Sequence, residues 1–325
     1  MAKIFHTCFN PYTPREKPPI SSAIDGELAS GLFSSLAIDL QELRESLEDK
    51  SISLQWCSVA MLFIRKMHSH FLLFTEKYQV PMSLDRANAM DEYLRESLDL
   101  LDTCILLKSA ISGISRYKLM VDFVEERLSD DGYPSARNIR IKRPAAGADD
   151  NLFDIKRWKD KVITASKTKL KCSNMHDIHA ISTAMKVISV LVCCSILHPI
   201  PLKLDVEVHN HEFARCDFIS GSIQKLVSCF EEIFRCAGER GRLFLSESSM
   251  VEDAMAEFTA KLTEGKELEK EKISESLDMI RKRSLALKEG LDSFESVVNE
   301  VFEDVLVGRK KVLGLFTTKH YALIK

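Results

Sequence analysis

Two stretches of this 325-residue chain bring histidine and cysteine close enough to suggest metal chemistry. Cys172, His176 and His179 have a spacing that one continuous helix would gather on a single face. Asn174, with Asp177 three residues on, forms an N-cap signature that starts a new helix between Cys172 and His176. The shared face is therefore not expected to form, and ordinary packing is the expected role. His209, His211 and Cys216 make the second group. Two histidines one residue apart in a loop lack a fourth ligand, so exposed side chains are expected there. No metal and no cofactor is expected.

The motifs G-x-G-x-x-G, G-x-x-x-x-G-K-[ST], G-x-S-x-G and H-E-x-x-H are absent. Their absence favours a non-enzymatic protein, while an enzyme with an unrecognised pocket in a helical core stays open as an alternative. The remaining candidate chemistry is electrostatic. Residues 137–171 carry Arg137, Arg140, Lys142, Arg143, Lys156, Arg157, Lys159, Lys161, Lys167, Lys169 and Lys171 against four aspartates, in a chain whose net charge is −3. Arg140, Lys142, Arg143, Lys156, Arg157, Lys159 and Lys161 are the residues expected to touch an anionic membrane surface if this segment binds one. The apolar run Val187–Leu197 that follows is too short to cross a bilayer, which needs about 20 apolar residues. A solvated basic face followed by a buried core helix is the expected reading, with peripheral attachment as its alternative. The global charge gives no pull toward nucleic acid, and none is expected as a partner.

These groups must be positioned by helices. Hydrophobic residues make up 45% of the sequence, and the 12 glycines and 9 prolines leave long uninterrupted stretches. Leu36, Leu40, Leu43 and Leu47 form one helical stripe, and Trp56, Phe63, Met67, Phe71, Phe74 and Tyr78 a second, opened by Ser51 or Ser53 and closed at Pro81. Leu94, Leu98, Leu101 and Ile105, then Ile111, Ile114, Tyr117, Val121, Val124 and Leu128, form a third that changes phase near Gly113. Further helices are expected at about 151–171, 174–197, 213–237, 246–262 and 268–307, the last stopped by Gly308. Residues 202–212 alternate loosely, as a short strand would.

The most regular pattern is C-terminal. Ile273, Leu277, Ile280, Ser284, Leu287, Leu291, Phe294, Val298, Val301 and Val305 alternate steps of four and three with charged residues between them, a heptad seam. The expected fold is all-α, an antiparallel helix bundle of long helices with a C-terminal heptad helix. The expected organisation is a flexible tail at 1–24, a helical part at 25–130, a linker at 131–150, and a second helical part at 151–325 packed on the first. Nine cysteines without C-x-x-C spacing and the lack of a signal peptide point to a reducing, intracellular setting. The cytoplasm is expected first, with the endomembrane periphery and the plastid left open.

Leu54-Gln55-Trp56, Ala60-Met61, His68, Pro81, Tyr93-Leu94, Ser97-Leu98, Leu100-Leu101-Asp102 and Cys104 together resemble the plant BYPASS-type family, including its exocyst-linked branch. Ile178 and Ala184-Met185-Lys186-Val187-Ile188-Ser189, with a C-terminal helix ending in basic residues, are similar to it too. The resemblance implies a regulatory role in plant growth, the restraint of a root-derived mobile signal, through protein partners it does not identify. It implies no catalytic residues. The oligomeric state stays open.

Overall fold

A computed structural model describes residues 20–47, 51–77, 84–130, 178–197, 220–240, 245–263 and 270–322. These residues form seven helices: α1 (Ile20–Glu45), α2 (Leu54–Lys77), α3 (Leu84–Asp130), α4 (Ile178–Leu197), α5 (Ser220–Arg240), α6 (Ser246–Thr263) and α7 (Lys270–Ala322). Extended structure among the described residues is confined to an isolated bridge between Ile52 and Leu245. The expected strand at 202–212, the linker and the helix at 151–171 lie outside the described residues.

Local chemistry explains where the helices begin and end. Ser53 caps α2 by accepting the Trp56 amide on its hydroxyl at 3.0 Å. Leu36, Leu40, Leu43 and Leu47 are all buried, as are Trp56, Phe63, Met67, Phe71 and Phe74. α4 is mostly apolar, and each of its described side chains except Lys186 is buried, which is the condition of a helix enclosed by others. It packs against α1, α2, α3 and α5.

Cross-links between named residues give the directions. Lys66 pairs with Asp39, and the Trp56 indole donates to the Leu43 carbonyl, so α1 and α2 are antiparallel. Arg309 meets Ser97 while Ser284 meets Asp122, so α7 is antiparallel to α3. Arg65 meets Glu300 and Asp304 while Lys311 meets Glu76, so α7 runs parallel to α2. α7 thus lies along both members of the α2–α3 pair and also packs on α6. One hydrophobic cluster takes residues from all seven helices.

Gly308 does not end the last helix, which continues through it to Ala322. A Cβ there would lie 2.7 Å from the Tyr93 hydroxyl and 2.8 Å from Leu72 Cδ1. Glycine at this position serves the close approach of three helices, and the continuing i→i−4 bonds leave no reason to stop. Gly290 serves the same purpose further back along α7, where a Cβ would lie 2.9 Å from Leu54 Cδ1.

Candidate functional site

Ile273, Leu277, Ile280, Leu287, Leu291, Phe294, Val298, Val301 and Val305 are all buried within the chain, and Val312 extends the seam by one heptad, with Gly308 between. The polar member, Ser284, is buried because it has a partner: its hydroxyl donates to Asp122 at 2.5 Å, and Lys118 pairs with the same carboxylate. Arg281, one turn earlier, pairs with Glu125 of α3. A single hydroxyl in an apolar seam joined to a charge on the facing helix fixes the register of α7 on α3.

The other predicted groups are not brought together among the described residues. Arg140, Lys142, Arg143, Lys156, Arg157, Lys159 and Lys161 lie outside them, as do Cys172, His176, His209, His211 and Cys216. His179 is in α4. No group of three metal-binding side chains occurs among the described residues, and no described helix is long and apolar enough to cross a membrane.

Two internal polar clusters are present instead. In the first, α2, α3 and α7 enclose His68, Tyr93, Ser97 and Arg309. The His68 ring is 4% exposed, and neither of its nitrogens has a hydrogen-bond partner among the described residues. It tilts against Tyr93, with centroids 5.5 Å apart, and Tyr93 stacks on Phe71 at 5.2 Å. Burial drives the His68 pKa down to about 4, so the ring is neutral at physiological pH. Burial pushes the Tyr93 phenol up, against the pull of nearby Arg309, and its hydroxyl is also unpartnered among the described residues. Arg309 donates to the Leu94 carbonyl and, at 2.7 Å, to the Ser97 hydroxyl. This arrangement holds no ionised base and no activated nucleophile.

The second cluster ties α4 to α3. Lys186 lies 2.7 Å from Glu92 and 3.2 Å from Glu96. Burial pulls the lysine down, but the two carboxylates more than offset it and hold it above its ordinary value. Burial raises Glu96, and the lysine only partly counters that. Two buried thiols are held protonated: burial pushes Cys104 up to about 12 and Cys57 higher, the latter helped by Glu247.

Among the described residues His68, Cys57 and Cys104 face the interior, and the outer surface carries a different feature. Leu98 and Ile105, expected in the core stripe of α3, are 45% and 56% exposed. Leu119, Met120 and Phe123 of the same helix are 63%, 46% and 59% exposed. Their exposure has a geometric cause. Two apolar lines run along α3, and Tyr93, Leu100, Cys104, Leu107 and Ile111 face the bundle while the other line faces out. Arg127 lies over the Phe123 ring at 5.7 Å. Leu98 and Ile105 share the spacing of Leu94 and Leu101, which hides this second face in the sequence.

The fold and these clusters define an all-α bundle whose polar groups tie helices together. Comparison with known proteins places one segment. Over 120 residues, 37% of this chain, it is 26% identical to "UPF0496 protein 4" of Oryza sativa subsp. indica and, to the same degree, of subsp. japonica. The matched segment spans 26% of the length of these relatives. The likeness supports a plant group of helical proteins and does not single out the BYPASS-type branch. No family model matches, and no solved structure matches.

Proposed function

We propose that the chain is a non-enzymatic regulatory or adaptor protein of plant growth and development that acts through protein contacts. The observation that carries this reading is the outward apolar line on α3, where Leu119 and Phe123 stand in solvent beside Arg116 and Arg127. Large apolar side chains grouped on a surface mark contact sites. The inward placement of His68, Cys57 and Cys104 supports the same reading, as does the resemblance to BYPASS-type proteins. Proximity labelling in plant tissue, with the native chain and with Phe123→Glu at equal abundance, tests it. The variant is expected to lose a defined subset of labelled neighbours, and an unchanged set would contradict the reading.

A second reading rests on the eleven lysines and arginines of 137–171. In it the chain is a peripheral protein of the secretory route that holds anionic lipid through Arg140, Lys142, Arg143, Lys156, Arg157, Lys159 and Lys161. Reversing Lys156, Arg157, Lys159 and Lys161 to Glu would then weaken binding to phosphatidylserine vesicles by about 1 kcal/mol per charge. Equal binding by both proteins would remove this reading.

A further inference from the structure

We infer that the outward face of α3 is a two-fold interface on which a second copy of this chain docks antiparallel. The inference rests on the contact role proposed above for that face and names its partner. At 3.6 residues per turn, Asp91, Leu98, Asp102, Ile105, Ser109, Arg116, Leu119, Met120, Phe123 and Arg127 fall within about 60° of one line along the helix. Leu98 to Phe123 covers about 37 Å at 1.5 Å per residue.

The order of charges along this line distinguishes a second copy from an arbitrary partner. The N-terminal half carries Asp91 and Asp102, and the C-terminal half carries Arg116 and Arg127. A two-fold axis through Ser109 sets each residue opposite the one equally far beyond that serine in the other copy. Asp102 then faces Arg116, Asp91 faces Arg127, and Leu98 faces Met120 with Leu119 and Phe123 beside it. Both charge pairs are of opposite sign, and the apolar residues meet apolar residues. Parallel docking would instead set acid against acid and base against base. Asp91 also pairs with Arg95 within the helix at 3.0 Å, an exposed contact that leaves the carboxylate accessible to a second cation.

Gly113 supplies an independent observation. It sits inside a 47-residue helix, where glycine costs about 1 kcal/mol relative to alanine. A Cβ at Gly113 would meet nothing within 4 Å, so packing inside this chain does not require glycine there. Gly113 lies about 40° to one side of the line through Ser109, so the absence of a side chain there leaves room at the edge of the face for a second helix. Ser109 on the axis is small as well, which lets the two backbones approach.

Sedimentation velocity of the full chain over a dilution series tests the interface. The native protein is expected to dimerise. Asp102→Arg and Arg116→Asp are each expected to weaken the dimer by about tenfold or more, because each sets like charges together twice. An equimolar mixture of the two variants, or the double variant, is expected to regain it. Melting curves that coincide with the native one establish that each variant is folded. A native protein that stays monomeric up to its solubility limit would overturn the inference, as would a dimer indifferent to both reversals. A monomer in which Phe123→Glu still removes labelled neighbours would leave the contact role standing with a different partner. A dimer broken by the reversals, with neighbours unchanged by Phe123→Glu, would uphold the dimer and sink the reading that this face recruits other proteins.

Discussion

Glu247, at the start of α6, accepts the Leu54 amide on both carboxylate oxygens, at 3.0 and 3.1 Å, from 193 residues away in sequence. It completes the N-terminus of α2, where Ser53 satisfies the Trp56 amide, and the Ile52–Leu245 bridge lies beside it. A carboxylate at a helix N-terminus offsets both the open amides and the helix dipole. Because the cap comes from a distant helix, it couples α2 to α6. Glu247→Ala is expected to lower stability by about 1 to 2 kcal/mol in urea unfolding. A change within error would show that the contact contributes nothing.

Further along α2, the buried His68 links stability to acid. Its pKa falls from an ordinary 6.5 to about 4 in the fold, so the native state favours the neutral ring. The stabilisation is present above pH 6.5, and it is lost progressively as pH falls from 6.5 to about 4. The full effect is on the order of 3 kcal/mol. His68→Leu keeps the ring's volume approximately and removes two unpartnered nitrogens, so its unfolding free energy is expected to fall less than the native protein's between pH 7 and pH 4. Parallel curves for the two proteins would contradict this.

Tyr93 and Gly308 make a paired prediction. Gly308→Ala places a methyl group against the Tyr93 oxygen and Leu72, and is expected to destabilise by about 1 to 3 kcal/mol. Tyr93→Phe removes an unpartnered hydroxyl and is expected to be neutral or stabilising. Combined, the two changes should cost less than their sum, because the contact they share is gone. Strict additivity in thermal melting would refute the close packing.

For α4, Lys186→Met leaves Glu96 without its lysine and Glu92 with only Arg95, at 3.7 Å, and should destabilise at neutral pH by about 1 to 3 kcal/mol. Glu96 already titrates above its ordinary value because of burial, and losing the lysine raises it further. The native state of the variant therefore favours the protonated acid. Its deficit should shrink as pH falls through the Glu96 titration, which urea unfolding at two pH values would detect. A deficit independent of pH would rule out the carboxylates as its source.

The C-terminal seam was the most legible feature of the sequence, since a period of four and three over ten positions fits only one helix face. Its partners were not legible. Steps of three and four do not say whether a helix lies with or against its neighbour, so the parallel contact of α2 with α7 emerged only from Arg65, Glu300 and Asp304. α4 was readable as a core helix because its apolar run is too short to cross a bilayer and Lys186 suits the edge of a bundle. The outer face of α3 was misread because Leu98 and Ile105 share the spacing of a core stripe, and composition cannot tell which of two apolar lines faces inward. The internal cluster escaped for a related reason: His68, Tyr93 and Arg309 are brought together by packing across 241 positions of sequence, from 68 to 309. No local pattern encodes that meeting.

Leu291→Asp tests the seam itself. Leu291 is buried at the middle of α7, and a carboxylate there should cost several kcal/mol, enough to unfold an ordinary domain. Circular dichroism of the variant is expected to show loss of cooperative melting. A folded variant with a native melting temperature would mean that the seam is not the core.

The proposed contact role of the outer face of α3 and a purely structural role of the buried polar groups are separated most directly by one comparison. Proximity labelling in plant tissue is run on the full chain carrying Phe123→Glu or His68→Leu, each expressed to the native level. The set of neighbours is expected to shrink for Phe123→Glu and to match the native set for His68→Leu. The opposite outcome, with neighbours lost through His68→Leu and retained with Phe123→Glu, would contradict that assignment.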